Sequence, residues 1–184
     1  MIAPPDHLLT LDEWVALPED NSRNYELQEG VVVANPKSHM PHQSVVVRFA
    51  VDVAPQLPPE WDLVGSVEVV TEPGFPASVR VPDLVIFNRA LIGADAPHFT
   101  PEQVLVAVEV VAPGTRMVDT VVKPVEYAAA GIPFYWVIDL ADPLSLVAHR
   151  LGDDGRYRET SATTGMFETN EPFQVRIDLA ELPA

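Results

Sequence analysis

The chain contains no cysteine. Disulfides and thiolate metal sites are therefore excluded, and any metal must be held by oxygen or imidazole ligands. Basic residues are scarce: 11 Lys and Arg stand against 27 Asp and Glu, a formal net charge of −16. A free protein of this charge is repelled by phosphate backbones, and nucleic-acid binders ordinarily carry a basic patch. Tight binding to nucleic acid would need a narrow basic groove or a second, basic protein, since a divalent cation offsets the charge only locally. Otherwise the acidity is a solubility feature. Long apolar runs are also missing. The longest uncharged stretch near the aromatics, residues 127–138, is too short to span a bilayer and carries Gly131 and Pro133. The start, Met1-Ile-Ala-Pro-Pro-Asp6, lacks a basic region followed by an apolar one. The expectation is a cytoplasmic protein with no membrane segment.

What is present fits one domain over residues 1–184, since domains run about 100–200 residues. A chain of this length buries roughly two thirds of its unfolded surface and needs no staples. No repeat or low-complexity run is visible, and 19 prolines punctuate the chain. Thr10, with Glu13 three residues on, predicts a capped first helix. Residues 25–33 read as a hairpin turning at Glu29-Gly30. Val46, Phe49, Ala50, Val53 and Leu57 recur at helical spacing and predict a helix over residues 41–57, against the strand preference of Val45-Val46-Val47. Residues 63–71, 82–87, 104–111 and 134–140 read as strands. Residues 118–130 read as a helix stopped by Gly131. Residues 144–151 and 156–161 predict a second hairpin across Gly152 and Gly155, and residues 173–177 one more strand. The fold class expected is α/β (α+β): a mixed β-sheet flanked by a few helices, with hairpins near both ends.

Val104-Leu-Val-Ala-Val-Glu-Val-Val-Ala112 is the most informative segment. It is apolar on both faces, as a strand covered on both sides would be. Glu109 interrupts it, and alternation places Glu109 with Leu105, Ala107 and Val111. An ionised carboxylate there is costly unless paired, hydrogen-bonded or bound to metal. Two explanations stand: an ion pair with Arg116 or Lys123, or a site. The position at the strand's C-terminal end, before Pro113-Gly114, favours a site. Asp83, in Val81-Pro-Asp-Leu-Val-Ile-Phe87, is either a turn aspartate or the second half of a dicarboxylate pocket. Two close carboxylates raise each other's pKa unless a cation lies between them, and oxygen ligands favour magnesium or manganese. Lys123 follows Glu109 by fourteen positions (123 − 109) near the start of the next helix. His39 and His42 are three apart, but Pro41 lies between them, which argues against a zinc site on one helix. Tyr135 and Trp136, in an apolar strand, read as core or interface residues.

At these residues the chain resembles the PD-(D/E)XK nuclease superfamily, and within it the Uma-two family of restriction-endonuclease-like proteins. The segments that carry the resemblance span residues 25–151. They are Tyr25-Glu-Leu with Gly30, Pro41-His-Gln43, Pro82-Asp-Leu-Val-Ile-Phe87, Val108-Glu-Val-Val-Ala-Pro-Gly-Thr-Arg116, Asp119 with Lys123 and Tyr127, and Ala130-Gly-Ile-Pro-Phe-Tyr-Trp-Val-Ile-Asp139. The superfamily's strict pattern has lysine two residues after the glutamate, where this chain has Val111. The Uma-two branch supplies it from the next helix, as Lys123 would. Two departures stand out: Ala112 replaces the usual serine before the proline, and Pro124 follows Lys123 directly. Proline forces the helix either to begin at Pro124 or to kink there.

The resemblance implies a metal-dependent endonuclease acting on DNA. In it Asp83, Glu109 and the Val110 carbonyl hold one or two Mg2+ (or Mn2+) ions, Lys123 orients water or stabilises developing charge, and Glu26 completes the site. It also implies a homodimer presenting two sites. The alternative is a non-catalytic relative that keeps the fold as a binding or scaffold module, a reading that the charge, Ala112 and Pro124 all motivate.

Overall fold

The computed structural model describes residues 5–18, 20, 22–35, 39–93, 97–111 and 114–182. Ala112 and Pro113 lie outside the described residues, as do residues 1–4.

Helix α1, Leu11–Val15, opens with the expected capping box: Thr10 accepts from the Glu13 amide, and the Glu13 carboxylate accepts from the Thr10 amide. Strands β1 (Asn24–Gln28) and β2 (Val31–Asn35) form the expected hairpin. Its turn places both Glu29 and Gly30 at positive φ, 47° and 77°. A Cβ on Gly30 would come within 2.7 Å of Leu8 Cβ, so glycine is needed there for space as well as for φ. Helix α2, Met40–Val53, continues as a 3₁₀ turn over Ala54–Gln56. Its β-branched run is helical because Val45, Val46, Phe49 and Val53 are buried against the sheet. Burial outweighs a propensity cost of a few tenths of a kcal/mol per residue, ~0.5 at most.

The strand expected over residues 63–71 is two strands, β3 (Trp61–Gly65) and β4 (Val69–Glu72). The chain turns between them, with Ser66 at φ 54°, and passes into a different sheet. Strand β5 (Ser78–Arg80) had no clear alternation to announce it. Strand β6 (Leu84–Asn88) begins after Pro82 and Asp83, because proline offers no N–H to a ladder. Strand β7 (Val104–Val111) is followed by a tight wide turn over Val118–Val122 that runs directly into α3 (Lys123–Ala130). Gly131, at φ 86°, ends that helix as expected. Then come β8 (Phe134–Asp139), β9 (Ser145–Leu151) and β10 (Tyr157–Glu159), the last two forming the second hairpin. Short β11 (Thr163–Thr164) also pairs with β9. Strand β12 (Met166–Thr169) supplies an unexpected partner for β13 (Val175–Asp178).

The strands form a seven-stranded sheet ordered β10-β9-β8-β7-β6-β3, with β11 beside β9, a four-stranded sheet ordered β2-β1-β5-β4, and the β12-β13 pair. In the large sheet only β7 and β8 run parallel, joined by the crossover through α3. The class is the mixed α+β arrangement expected. One face of the large sheet packs against α2 and the β12-β13 pair, the other against α3 and Val69 of β4. Alternation along β7 holds for Ala107 and Val111 but fails at Leu105. Ile86 pairs with Val106 and Phe87 with Val104, so Leu105 is a bulged residue and packs with the α2 side instead. Among the described residues no helix is long and apolar enough to cross a membrane.

Candidate active site

The C-terminal end of β7 meets the start of β6, the first turn of α2, the turn before α3, and the two inner strands of the small sheet, β1 and β5. All four sequence-selected side chains converge there. The last pair in the β6–β7 ladder is Leu84 with Val108. Asp83 therefore leaves β6 beside Glu109, and its Oδ2 accepts the Val110 amide at 2.8 Å. The carboxylate takes the ladder bond that a backbone carbonyl would have made.

Glu109 is 3% exposed and lies on the α3 face with Ala107 and Val111. Its Oε1 accepts from Lys123 Nζ at 2.6 Å and from the Tyr127 hydroxyl at 3.0 Å. Of the two ion-pair partners left open by the sequence, Lys123 is the one used; Arg116 pairs with Asp139 instead. Lys123 Nζ also lies 3.2 Å from Asp119 Oδ1 and 3.6 Å from Glu26 Oε1. Glu26 is fixed by the Val81 amide, by Asn35 and by Arg80, each at 3.1 Å. Arg80 in turn makes a two-pronged contact with Glu126, at 2.6 and 2.7 Å. The result is a continuous chain that is buried except at its half-buried end, Glu126: Glu126, Arg80, Glu26, Lys123, then Glu109 and Asp119.

Charges do not balance in this chain. Glu26, Glu109, Asp119 and Glu126 meet only Arg80 and Lys123. Burial pushes the Glu109 carboxyl well above the usual carboxylate range, against the pull of Lys123 and reinforced by Asp83, Asp119 and Glu26. Burial also raises Asp119. Burial lowers Lys123, but Glu109, Glu26 and Asp119 more than offset this and keep it charged. Burial raises Glu26, yet Lys123 and Arg80 bring it below its ordinary value. The cluster thus holds more carboxyls than cations, and Glu109 is the carboxyl whose ionised form burial most disfavours.

Pro124 stands in the first turn of α3, which begins one residue before it, where the chain passes from the wide turn into the α-helix. The Lys123 amide bonds five residues back to the Val118 carbonyl, a wide turn of the kind that recurs at functional sites. In that register Pro124 would serve the Asp119 carbonyl, but it has no N–H. The buried Tyr135 hydroxyl serves it instead, at 2.7 Å. Lys123 is thereby kept in the helix with its ammonium turned inward.

His42 lies in the first turn of α2, and its Nε2 is 3.2 Å from Asp83 Oδ2. Burial lowers its pKa, but Asp83 and a hydrogen bond to the Val110 backbone raise it overall. His39 caps the same helix in extended geometry and is exposed, so the two histidines share no site. Tyr135 and Trp136 are fully buried core residues.

Sequence reasoning gave no role to Arg80, Glu126, Asp119 or Tyr127. Asp119, Lys123 and Tyr127 recur at intervals of four, the spacing of one helix face, which was a readable signal. Nothing near Arg80 marked it.

As donors, Asp83, Glu109, the Val110 carbonyl and His42 suit a hard or borderline divalent cation. Among the described residues, no three His, Asp or Glu side chains already stand as a cage for one. The excess of carboxyls over cations around Glu109 is the feature that fits a cation.

The fold is that of a nuclease-like α+β domain. A solved structure from Anabaena variabilis, described as a "putative nuclease belonging to DUF820", is similar at a TM-score of 0.68 and 14% identity, over 95% of this chain and 97% of that one. The chain belongs to the Uma2 family, described as "putative restriction endonuclease", whose model matches residues 11–180. No curated protein matches.

Proposed function

We propose that the protein is a divalent-metal-dependent endonuclease that hydrolyses phosphodiester bonds in DNA. The observation that carries this is Asp83 held by the Val110 amide, one residue past Glu109, with Lys123 Nζ 2.6 Å from Glu109. Family membership supports it. Asp83, Glu109 and the Val110 carbonyl would hold Mg2+ or Mn2+. Such an ion, when bound, lowers the pKa of a coordinated water and clamps phosphate oxygens. Lys123, kept charged by its carboxylate neighbours, stands ready to stabilise negative charge developing on a phosphate oxygen. Glu26 and Arg80 hold that ammonium in place from the small sheet, so the role of Glu26 is to position Lys123. A homodimer with two sites belongs to the same reading, and light scattering tests it.

The competing reading is a non-catalytic binding or scaffold module. Two observations favour it: Glu109 is already satisfied by Lys123 and Tyr127, and the chain carries a net charge of −16. Calorimetric titration of Mn2+ into wild type and Glu109→Ala, followed by plasmid cleavage on the same samples, separates them. The nuclease reading expects binding and nicking that both vanish in the variant. Negligible heats in both folded proteins, with intact plasmid, overturn it.

A further inference from the structure

Among the described residues, His42 is the buried side chain touching Asp83 that the proposed chemistry leaves without a task. It is 6% exposed, and its ring is held at the end of the β6–β7 ladder by α2, whose first turn carries Pro41. Nε2 lies 3.2 Å from Asp83 Oδ2, and the Val110 backbone is its other neighbour. Nδ1 is enclosed and has no hydrogen-bond partner among the described residues. Nε2 is directed at the same carboxylate and backbone segment assigned to the cation.

We propose that His42 is a ligand of the divalent-cation site, its imidazole nitrogen joining the Asp83 carboxylate and the Val110 carbonyl. The inference rests on the metal-dependent reading above. It adds a chemical consequence that an all-oxygen site lacks. A nitrogen donor favours transition ions over Mg2+, so the site would prefer Mn2+ and, more strongly, Co2+.

Pulsed electron paramagnetic resonance on the wild-type protein with one equivalent of Mn2+ tests this without any substitution. The expected spectrum shows coupling to a directly bound imidazole nitrogen, altered when only histidine carries ¹⁵N. In His42→Gln the coupling disappears, the Mn2+ Kd rises by roughly tenfold or more, and the preference for Mn2+ over Mg2+ narrows. A circular-dichroism melt confirms that the variant is folded. Mn2+ bound to wild type without nitrogen coupling overturns the inference and leaves His42 as a clamp. Coupling that survives in folded His42→Gln overturns it too, since another histidine would be the ligand. In both cases loss of Mn2+ binding in Glu109→Ala would leave the metal-dependent reading standing. No Mn2+ binding by wild type overturns both together.

Discussion

The two faces of β7 solve opposite problems with one stretch of backbone. On the α2 side, Val106, Val108 and Val110 pack with Trp136, Ile138 and Phe49 in a dry core. On the α3 side the same strand presents Glu109 to a buried chain of acids and bases. The first face is stabilised by area removed from water, at roughly 25 cal/mol per Å². The second is a desolvation cost repaid only where each charge meets another. A fold built for stability alone would make both faces like the first. The charged face, left with more acid than base, is the one that the proposed cation would suit.

The comparison breaks most sharply at Lys123. Lys123→Met removes the ammonium shared by Glu109, Asp119 and Glu26 and leaves buried carboxylates unpaired. The expected loss is about 3–5 kcal/mol in urea unfolding. Glu109→Leu combined with Lys123→Met should recover part of that, because it removes one of the unpaired buried carboxyls while Asp119 still lacks its cation. A double variant no more stable than the single one would show that the face does not depend on pairing.

Tyr135 tests the turn that aims Lys123. Tyr135→Phe orphans the Asp119 carbonyl and should cost about 1–3 kcal/mol. Pro124→Ala restores an N–H in that register, so the two substitutions together should cost less than Tyr135→Phe alone. Additive losses would mean that the hydroxyl serves no carbonyl released by proline. The apolar face supplies the control. Ile138→Val, which deletes one methylene from the dry core, should cost about 0.5–1.5 kcal/mol and leave Mn2+ affinity unchanged.

Much of this was readable in advance, and for physical reasons. Glu109 was visible because a charge in an apolar strand violates the pattern around it. The β1–β2 turn was visible because Glu29-Gly30 separates two apolar runs. The helix over Met40–Val53 emerged from spacing despite its valines. What was not legible depended on contacts distant in sequence. Arg80 joins Glu126 across 46 positions, and no local pattern encodes that. The bulge at Leu105 is set by pairing with β6, not by β7 itself. The outcome at Pro124 was hidden because the hydroxyl that rescues the helix comes from Tyr135, on the next strand.

The smallest expected effect is a change of slope, and it lies on β9, two strands from Glu109. His149 is buried on β9, with Nδ1 3.1 Å from the Tyr135 carbonyl and Nε2 3.5 Å from the exposed Glu159. Tyr135 and Tyr157 pack on its ring. Burial lowers its pKa below the ordinary 6.5, outweighing the Tyr135 carbonyl and Glu159. In the unfolded chain the imidazole takes up its proton near pH 6.5; in the folded protein it does so only at lower pH. Between those values the unfolded state binds more protons, so stability rises with pH. Equivalently, the neutral ring's contribution is complete above about pH 6.5 and is lost as pH falls toward the folded value. His149→Phe removes the titrating group while keeping a ring against Tyr135 and Tyr157. Urea unfolding at pH 7.5, 6.5 and 5.5 should therefore show a smaller decline toward acid in the variant than in wild type. Parallel curves would mean that His149 is held equally well in either protonation state. Burial at this end of the sheet would then tolerate charge as the α3 face does.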